Sequence, residues 1–184
     1  MRVLKLLTVI CAVAVVNGAS RAQNYRAVDI EAGEHAAEAL IIEHINAERA
    51  RFAPDAPHLA TDSSLEGIAH QRSDDMAHGA PFAHEDKEGH FAAAEGIHAR
   101  FGPYGTIGEN IMMERDPARA FEPEAFARRA VQGWMNSEGH RANILSPAYD
   151  RSGVGVVIEG SYIYATQVFW GPAKRPNVRG NRRR

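Results

Sequence analysis

The strongest constraint on the fold is a change of hydrophobic period near the C-terminal end of the chain. Between residues 154 and 168 large apolar side chains alternate with small or polar ones, and the dipeptide Gly160-Ser161 divides the run. A two-residue loop that begins with glycine between two such runs predicts an antiparallel β-hairpin. The earlier periodic segments are helical, so we expect an α+β domain in which helices pack against a sheet.

The helical segments lie upstream of the hairpin. Ser63 is followed three residues later by Glu66, a spacing that predicts a capping box at the start of the second helix. Residues 81–107 have no clear period and predict a loop with at most one short helix near residues 91–101. The expected helices cover residues 34–52, 64–78 and 123 to about 138, with one further turn over residues 140–145.

The N-terminus has the organisation of a secretory signal peptide. Two basic residues precede an apolar run over residues 6–16, which is shorter than the ~20 residues that a membrane-spanning helix needs. We place cleavage after Ala22, with Gly18 and Ala19 as alternatives. The only cysteine, Cys11, lies in this segment, so the mature chain is expected to have no disulfide. We therefore expect a secreted or periplasmic protein with no transmembrane segment after cleavage.

Charge is unevenly distributed along the chain. Residues 23–173 carry 12 basic and 23 acidic residues, whereas six basic residues lie among the last eleven. The acidic body argues against a nucleic-acid partner, and the basic end predicts a disordered tail. The predicted organisation is a signal peptide (1–22), an N-terminal lead-in (23–37), one domain (38–171) and a basic tail (172–184).

Two short motifs contain most of the residues that could carry chemistry. Residues 108–111 read Gly-Glu-Asn-Ile, and residues 134–145 read Trp-Met-Asn-Ser-Glu-Gly-His-Arg-Ala-Asn-Ile-Leu. They place Glu109, Ser137 and His140 beside apolar anchors. Glu109 has two interpretations at this level: a functional carboxylate, or a buried structural acceptor, since a buried carboxylate needs partners in either case.

Catalytic motifs give little support for an enzyme. The chain has no Gly-x-Ser-x-Gly elbow, and no thiol survives the predicted cleavage. The spacing of His84 and His90 differs from the His-Glu-x-x-His zinc motif. A zinc site assembled from distant positions stays open, because zinc accepts imidazole nitrogen and carboxylate oxygen wherever they converge.

Seven segments occur together in one order and identify a resemblance. The segments are Asn46-Ala47-Glu48-Arg49, Leu59, Phe82-Ala83-His84, Gly108-Glu109-Asn110-Ile111, the motif at residues 134–145, Gly153-Val154-Gly155-Val156 and Tyr164-Ala165-Thr166-Gln167-Val168-Phe169. With them the chain resembles the bacterial branch of the CAP superfamily, the SCP-like extracellular domain, from about residue 38 to residue 170. This resemblance implies an α-β-α sandwich, with a central, mostly antiparallel sheet between helical layers and a large open cleft.

In animal members of this family two histidines and two glutamates converge in the cleft, and the histidines can hold zinc. His84 matches the first histidine and Glu109 the glutamate of the Gly-Glu-Asn motif. Ser137 stands where the second glutamate is usual, and Tyr164 stands where the second histidine is usual. Bacterial members share His140, and we hypothesise that Ser137, Glu138 and His140 replace the missing groups from a neighbouring backbone position.

The resemblance implies a binding module more strongly than an enzyme. Its ligand would be an apolar, lipid or peptide-like molecule from the extracellular space or the envelope. The alternative is a zinc-dependent hydrolase, with zinc on His84 and His140 and with Glu109 as the catalytic base. A third interpretation is a scaffold in which the polar residues only brace the cleft. The predicted cleft residues are His84, Glu109, Ser137, His140, Tyr164 and Gln167.

Overall fold

The computed structural model describes residues 16–115 and 121–173 of the chain. The predicted cleavage site at Ala22 lies inside the first helix, whereas residues 1–15 of the predicted signal peptide and residues 174–184 of the predicted tail lie outside the described part. In chain order the elements are α1 (Val16–Phe52), β1 (Ala60–Thr61), α2 (Ser63–Ala77), α3 (Ala94–Phe101), β2 (Gly105–Arg115), α4 (Pro123–Asn136), α5 (Glu138–Leu145), β3 (Arg151–Glu159) and β4 (Tyr162–Pro172).

Four strands form one sheet in the order β1-β3-β4-β2. β3 and β4 are the predicted antiparallel hairpin, and Gly160 in its turn has a φ of 59°, a conformation that glycine adopts readily. β2 pairs antiparallel with β4 along its whole length, whereas the two residues of β1 pair parallel with the start of β3. The prediction of a mostly antiparallel sheet is confirmed.

The sheet lies between two helical layers, which confirms the predicted α-β-α sandwich. On one face α1, α4 and α5 bury a core that includes Ile41, Ile45, Phe126 and Trp134. On the other face α2 and α3 pack around a smaller core of Leu65, Ala69, Ala93, Ile97 and Val168. No helix in the described residues is both long enough and apolar enough to cross a membrane.

Two glycines let α2 lie close against the sheet. Gly153 and Gly155 alternate along β3, and a Cβ atom at either position would overlap backbone atoms of α2, at Leu65 and Glu66 in one case and at His70 in the other. The motif Gly-Val-Gly-Val therefore provides a flat strip of strand that a helix backbone can approach, while its valines face the opposite core.

α1 is longer than predicted and protects one edge of the sheet. It begins at Val16 rather than near residue 34, and so passes through both the predicted cleavage site and the predicted domain boundary at residue 38. Beyond its short contact with β1, the outer edge of β3 faces α1. There Glu38 accepts a hydrogen bond from the Val156 N–H at 2.9 Å, and Glu34 accepts one from the Ile158 N–H at 2.6 Å.

Three local predictions were wrong or incomplete. Residues 105–107, which were predicted as loop, begin β2, whose four consecutive buried residues from Gly108 hide the alternation expected of a strand. The N-cap of α2 is Asp62 instead of Ser63: its carboxylate accepts from the backbone N–H groups of Ser64 and Leu65. α5 is an eight-residue helix instead of a single turn.

Candidate functional site

The two sequence motifs meet where α5 lies against β2. Asn143 of α5 donates through its side-chain amide to the Glu109 carbonyl at 3.1 Å and to the Asn110 side-chain oxygen at 3.0 Å. Asn110, which is fully buried, donates in turn to the His140 carbonyl at 3.3 Å. Gly108 permits this contact, because a Cβ there would lie 2.6 Å from the Tyr149 hydroxyl oxygen.

The rest of the second motif is fixed to the core. The Trp134 indole N–H donates to the Ile111 carbonyl at 3.0 Å, which ties α4 to the end of the first motif. Arg49 of α1 is 1% exposed and donates to the carbonyls of four residues at and around the end of α5 and in the loop after α1. Burial lowers the pKa of Arg49. The four carbonyls belong to Pro57, Ile144, Ser146 and Tyr149.

A buried ion pair lies at the centre of the site. The Glu109 side chain is 0% exposed, and its two oxygens have different partners. Arg72 Nε donates to Oε2 at 3.1 Å, and His84 Nδ1 lies 3.0 Å from Oε1. Arg72 also donates to the Ala83 carbonyl at 2.8 Å, next to His84 in the chain. α2, β2 and the loop after α2 thus contribute one residue each to a single chain of hydrogen bonds.

Four of the predicted cleft residues line one cavity of about 520 Å³: His84, Glu109, Ser137 and His140. The His84 and His140 rings approach edge to face, with centroids 5.9 Å apart. Burial, and to a lesser degree the neighbouring His84 ring, lowers the pKa of His140. The other lining residues are Phe91, Ile107, Gly108, Gly139 and Asn143.

The remaining two predicted cleft residues lie elsewhere. Gln167 is 0% exposed and donates to the Ser152 hydroxyl at 3.0 Å within the core, so it does not line the cavity. Tyr164 pairs with Met113, four residues after Glu109 on β2 and therefore roughly 13 Å farther along the sheet. The Thr-Gln motif that follows Tyr164 is a structural part of the sheet.

Arg72 is the important residue that sequence reasoning missed. It occupies a position in the predicted apolar stripe of the second helix, beside Leu65, Ala69 and Met76, and is 6% exposed. A lone cation in the buried stripe of an amphipathic helix needs a buried partner. That pattern was visible in the sequence and would have predicted a partner carboxylate such as Glu109.

The described residues provide an incomplete donor set for zinc. Catalytic zinc sites have three protein ligands and structural sites four. Here two imidazoles converge, and Glu109, the adjacent carboxylate, has both oxygens engaged by Arg72 and His84. Among the described residues no group of three or more histidine, cysteine, aspartate or glutamate side chains is placed to hold a metal ion. The Glu109 side chain is 0% exposed, so its carboxylate is not placed to act as a base on a water molecule in the cavity.

Comparisons with known proteins agree with this fold. Over 125 residues the chain is 35% identical to YkwD of Bacillus subtilis (strain 168), an alignment that covers 67% of this chain and 44% of the relative. An extracellular protein of Bacillus anthracis with an SCP domain is 29% identical, with a TM-score of 0.59, over 75% of this chain and 41% of that chain. The chain thus spans less than half the length of either relative.

A more distant structure shares the fold alone. An outer surface protein of Borrelia burgdorferi is 16% identical, with a TM-score of 0.61, over 74% of this chain and 92% of that protein. The model of the CAP family, described as the cysteine-rich secretory protein family, matches residues 42–170, which is well over half of the chain. The segment includes both motifs, the buried Arg72–Glu109 pair and the cavity lined by His84 and His140, which we call the histidine cavity. The chain belongs to the CAP family of cysteine-rich secretory proteins.

Proposed function

We propose that this protein is an exported binding module whose histidine cavity holds an apolar, lipid or peptide-like ligand from the envelope or the extracellular space. One observation carries the proposal: Glu109, the carboxylate in the cavity wall, is fully buried and both its oxygens are bonded. A carboxylate held in this way fixes the orientation of His84, and because its side chain is 0% exposed it is not placed to exchange a proton with a ligand, so it suits recognition better than catalysis.

The shape and lining of the cavity agree with a binding role. Its volume of about 520 Å³ lies in the range of small-molecule sites, ~300–1,000 Å³. Phe91 and Ile107 provide apolar walls, and polar atoms of Ser137 and the two histidines provide a few convergent hydrogen-bonding groups. Apolar walls with a small number of fixed polar groups are the usual composition of such sites.

The binding role is tested by filling the cavity. Gly139 lines it, and a Cβ at this position meets nothing within 4 Å. Gly139→Leu therefore adds an apolar side chain at the cavity wall whose Cβ has open space, and leucine is a better helix former than glycine. Calorimetry with 1-decanol and with N-acetyl-dialanine amide should detect binding to the natural chain, and the variant should weaken it at least tenfold.

A matched control separates filling the cavity from adding leucine to a helix. Gly133 of α4 is also exposed, also has open space at its Cβ position, and lies outside the cavity. Gly133→Leu should leave affinity unchanged. Equal affinity of all three proteins for both molecules, or no binding by any of them, contradicts the assignment of the ligand to this cavity.

The export part of the proposal has its own test. The extracellular family and the apolar run over residues 6–16 support it. The full chain with a C-terminal tag, expressed in a bacterium with two membranes, should be recovered from the periplasm or the medium, with a new N-terminus at Gln23. Recovery of unprocessed protein from the cytoplasm contradicts export.

The alternative function is a zinc-dependent hydrolase, which the 5.9 Å approach of the His84 and His140 rings favours. It requires saturable zinc binding that both His84→Ala and His140→Ala abolish, and peptide hydrolysis that Glu109→Gln abolishes. Calorimetric zinc titration and a casein assay measure the two requirements. Zinc binding that neither histidine substitution affects eliminates this alternative.

A further inference from the structure

The hydrogen bonds around Glu109 determine which ring nitrogen of His84 is free to contact a ligand. An ionised carboxylate only accepts hydrogen bonds, so both contacts to it must be donated by its partners. Arg72 Nε–H supplies one, at 3.1 Å, and His84 Nδ1–H supplies the other, at 3.0 Å. In a neutral imidazole one nitrogen is a donor and the other an acceptor. The neutral form of His84 that fits this geometry therefore carries its proton on Nδ1, and its Nε2 has a free lone pair.

This lone pair is available in the cavity. His84 lines the cavity and its side chain is 40% exposed. Among the described residues nothing donates a hydrogen bond to its Nε2, and the His140 ring lies edge to face with the His84 ring, with centroids 5.9 Å apart. A ligand group that meets His84 therefore meets an acceptor, which pairs with a hydroxyl or an N–H group and repels another acceptor.

The cavity gives a charged ligand no counter-charge. Glu109 is the one lining residue with a formal charge among the described residues, and Arg72 lies beside its buried carboxylate. A ligand carboxylate, phosphate or ammonium would lose hydration here without gaining an opposite charge. The apolar walls formed by Phe91 and Ile107 add no compensation.

We infer that the cavity selects uncharged apolar molecules that carry a hydrogen-bond donor, and that the donor is placed on Nε2 of His84. This inference rests on the proposed binding function and names the class of ligand. Arg72 and Glu109 are positioning residues in it: they touch His84 rather than the ligand, and they set which nitrogen carries the proton.

A matched pair of small molecules tests the inference in the natural chain. Indole has an apolar body and one N–H donor, and 1-methylindole replaces that donor with a methyl group. Amide chemical-shift titrations of the ¹⁵N-labelled protein, with EDTA present to remove metal ions, give both dissociation constants. Indole should bind about fivefold more tightly, the usual effect of one neutral hydrogen bond. Indole-3-acetate, which is anionic, should bind more weakly than indole.

The variant Glu109→Gln should remove the preference for indole. Arg72 donates only, so it holds the amide oxygen of the new glutamine and turns the amide NH₂ toward His84 Nδ1. Nδ1 then accepts, the ring proton moves to Nε2, and His84 offers a donor to the cavity. A long-range ¹H–¹⁵N spectrum of the imidazoles should show this exchange of protonated nitrogen, and 1-methylindole should lose its disadvantage.

Each outcome decides the inference. Tighter binding of indole, with an unprotonated Nε2 in the natural chain, supports it even if Glu109→Gln does not fold. Equal affinities, tighter binding of 1-methylindole or of indole-3-acetate, or a proton on Nε2 in the natural chain would each overturn it. In these cases decanol or dialanine-amide binding that Gly139→Leu weakens still upholds the binding function, so the two failures are distinguishable.

Discussion

Removing the Arg72 guanidinium should destabilise the protein strongly, because it leaves the Glu109 carboxylate buried and unpaired. Arg72→Met keeps most of the apolar stem and deletes two hydrogen bonds, one to Glu109 at 3.1 Å and one to the Ala83 carbonyl at 2.8 Å. Breaking a buried ion pair from one side costs ~3–5 kcal/mol, so we expect a loss of about 4 kcal/mol in the free energy of unfolding.

Urea denaturation at neutral pH, followed by circular dichroism, measures this loss. A protein of this size should also unfold about 12 °C lower, since ~1 kcal/mol corresponds to ~2–4 °C. The control is Arg100→Met on α3, whose side chain is exposed and donates to the Ser64 hydroxyl. A surface substitution of this kind should change stability by less than ~0.5 kcal/mol.

A second substitution shows whether the unpaired charge causes the loss. In Arg72→Met with Glu109→Gln no charge is buried, so the double variant should be more stable than Arg72→Met alone. Two results would refute the reasoning: a loss below about 1 kcal/mol in Arg72→Met, or a double variant whose loss equals the sum of the two single losses.

Three further predictions concern the cavity and helix α2. The His140 ring should titrate by NMR with a pKa below 6.5, and His84→Gln should bring that pKa only part of the way back to 6.5, since burial is the larger cause. Because the pKa of His140 is lower in the folded than in the unfolded protein, the free energy of unfolding should fall as the pH drops below about 6.5. Gly153→Ala should strongly lower the free energy of unfolding measured in denaturant titrations. Gly67→Ala, at an exposed position of α2, should raise it by ~0.5–1 kcal/mol. Asp62→Ala should cost ~1 kcal/mol by the same assay, through loss of the α2 N-cap.

The periodic parts of the fold were predictable from the sequence, and the parts fixed by distant contacts were not. The hairpin around Gly160 follows from a local alternation and a two-residue turn. β2 was missed because its central residues are buried on both faces, and Glu109 and Asn110, which are polar, interrupt the apolar pattern. Residues of α2 and α5 form hydrogen bonds with these buried polar groups, and both helices lie too far along the chain for a local sequence window to include them.

The residues of the candidate site were also predictable only in part. Four of the six predicted cleft residues line the cavity in the structure. The engagement of both Glu109 oxygens was not predictable, because it depends on Arg72, which is 37 residues away in the chain. Gln167 was misplaced because its position near the Tyr164 segment of the family resemblance does not tell whether its side chain meets the cavity or is hydrogen-bonded to Ser152 in the core.

The two α1 glutamates at the outer edge of β3 affect how the protein behaves in solution. Unpaired strand N–H groups can template pairing with a second chain, which leads to aggregation. Glu34 and Glu38 occupy the Ile158 and Val156 N–H groups and place negative charge along the same edge. A protein trimmed to begin after Glu38 would retain the whole family segment, residues 42–170, and lose this protection. The residues that precede the family segment therefore keep the sheet edge from associating with the edge of a second molecule.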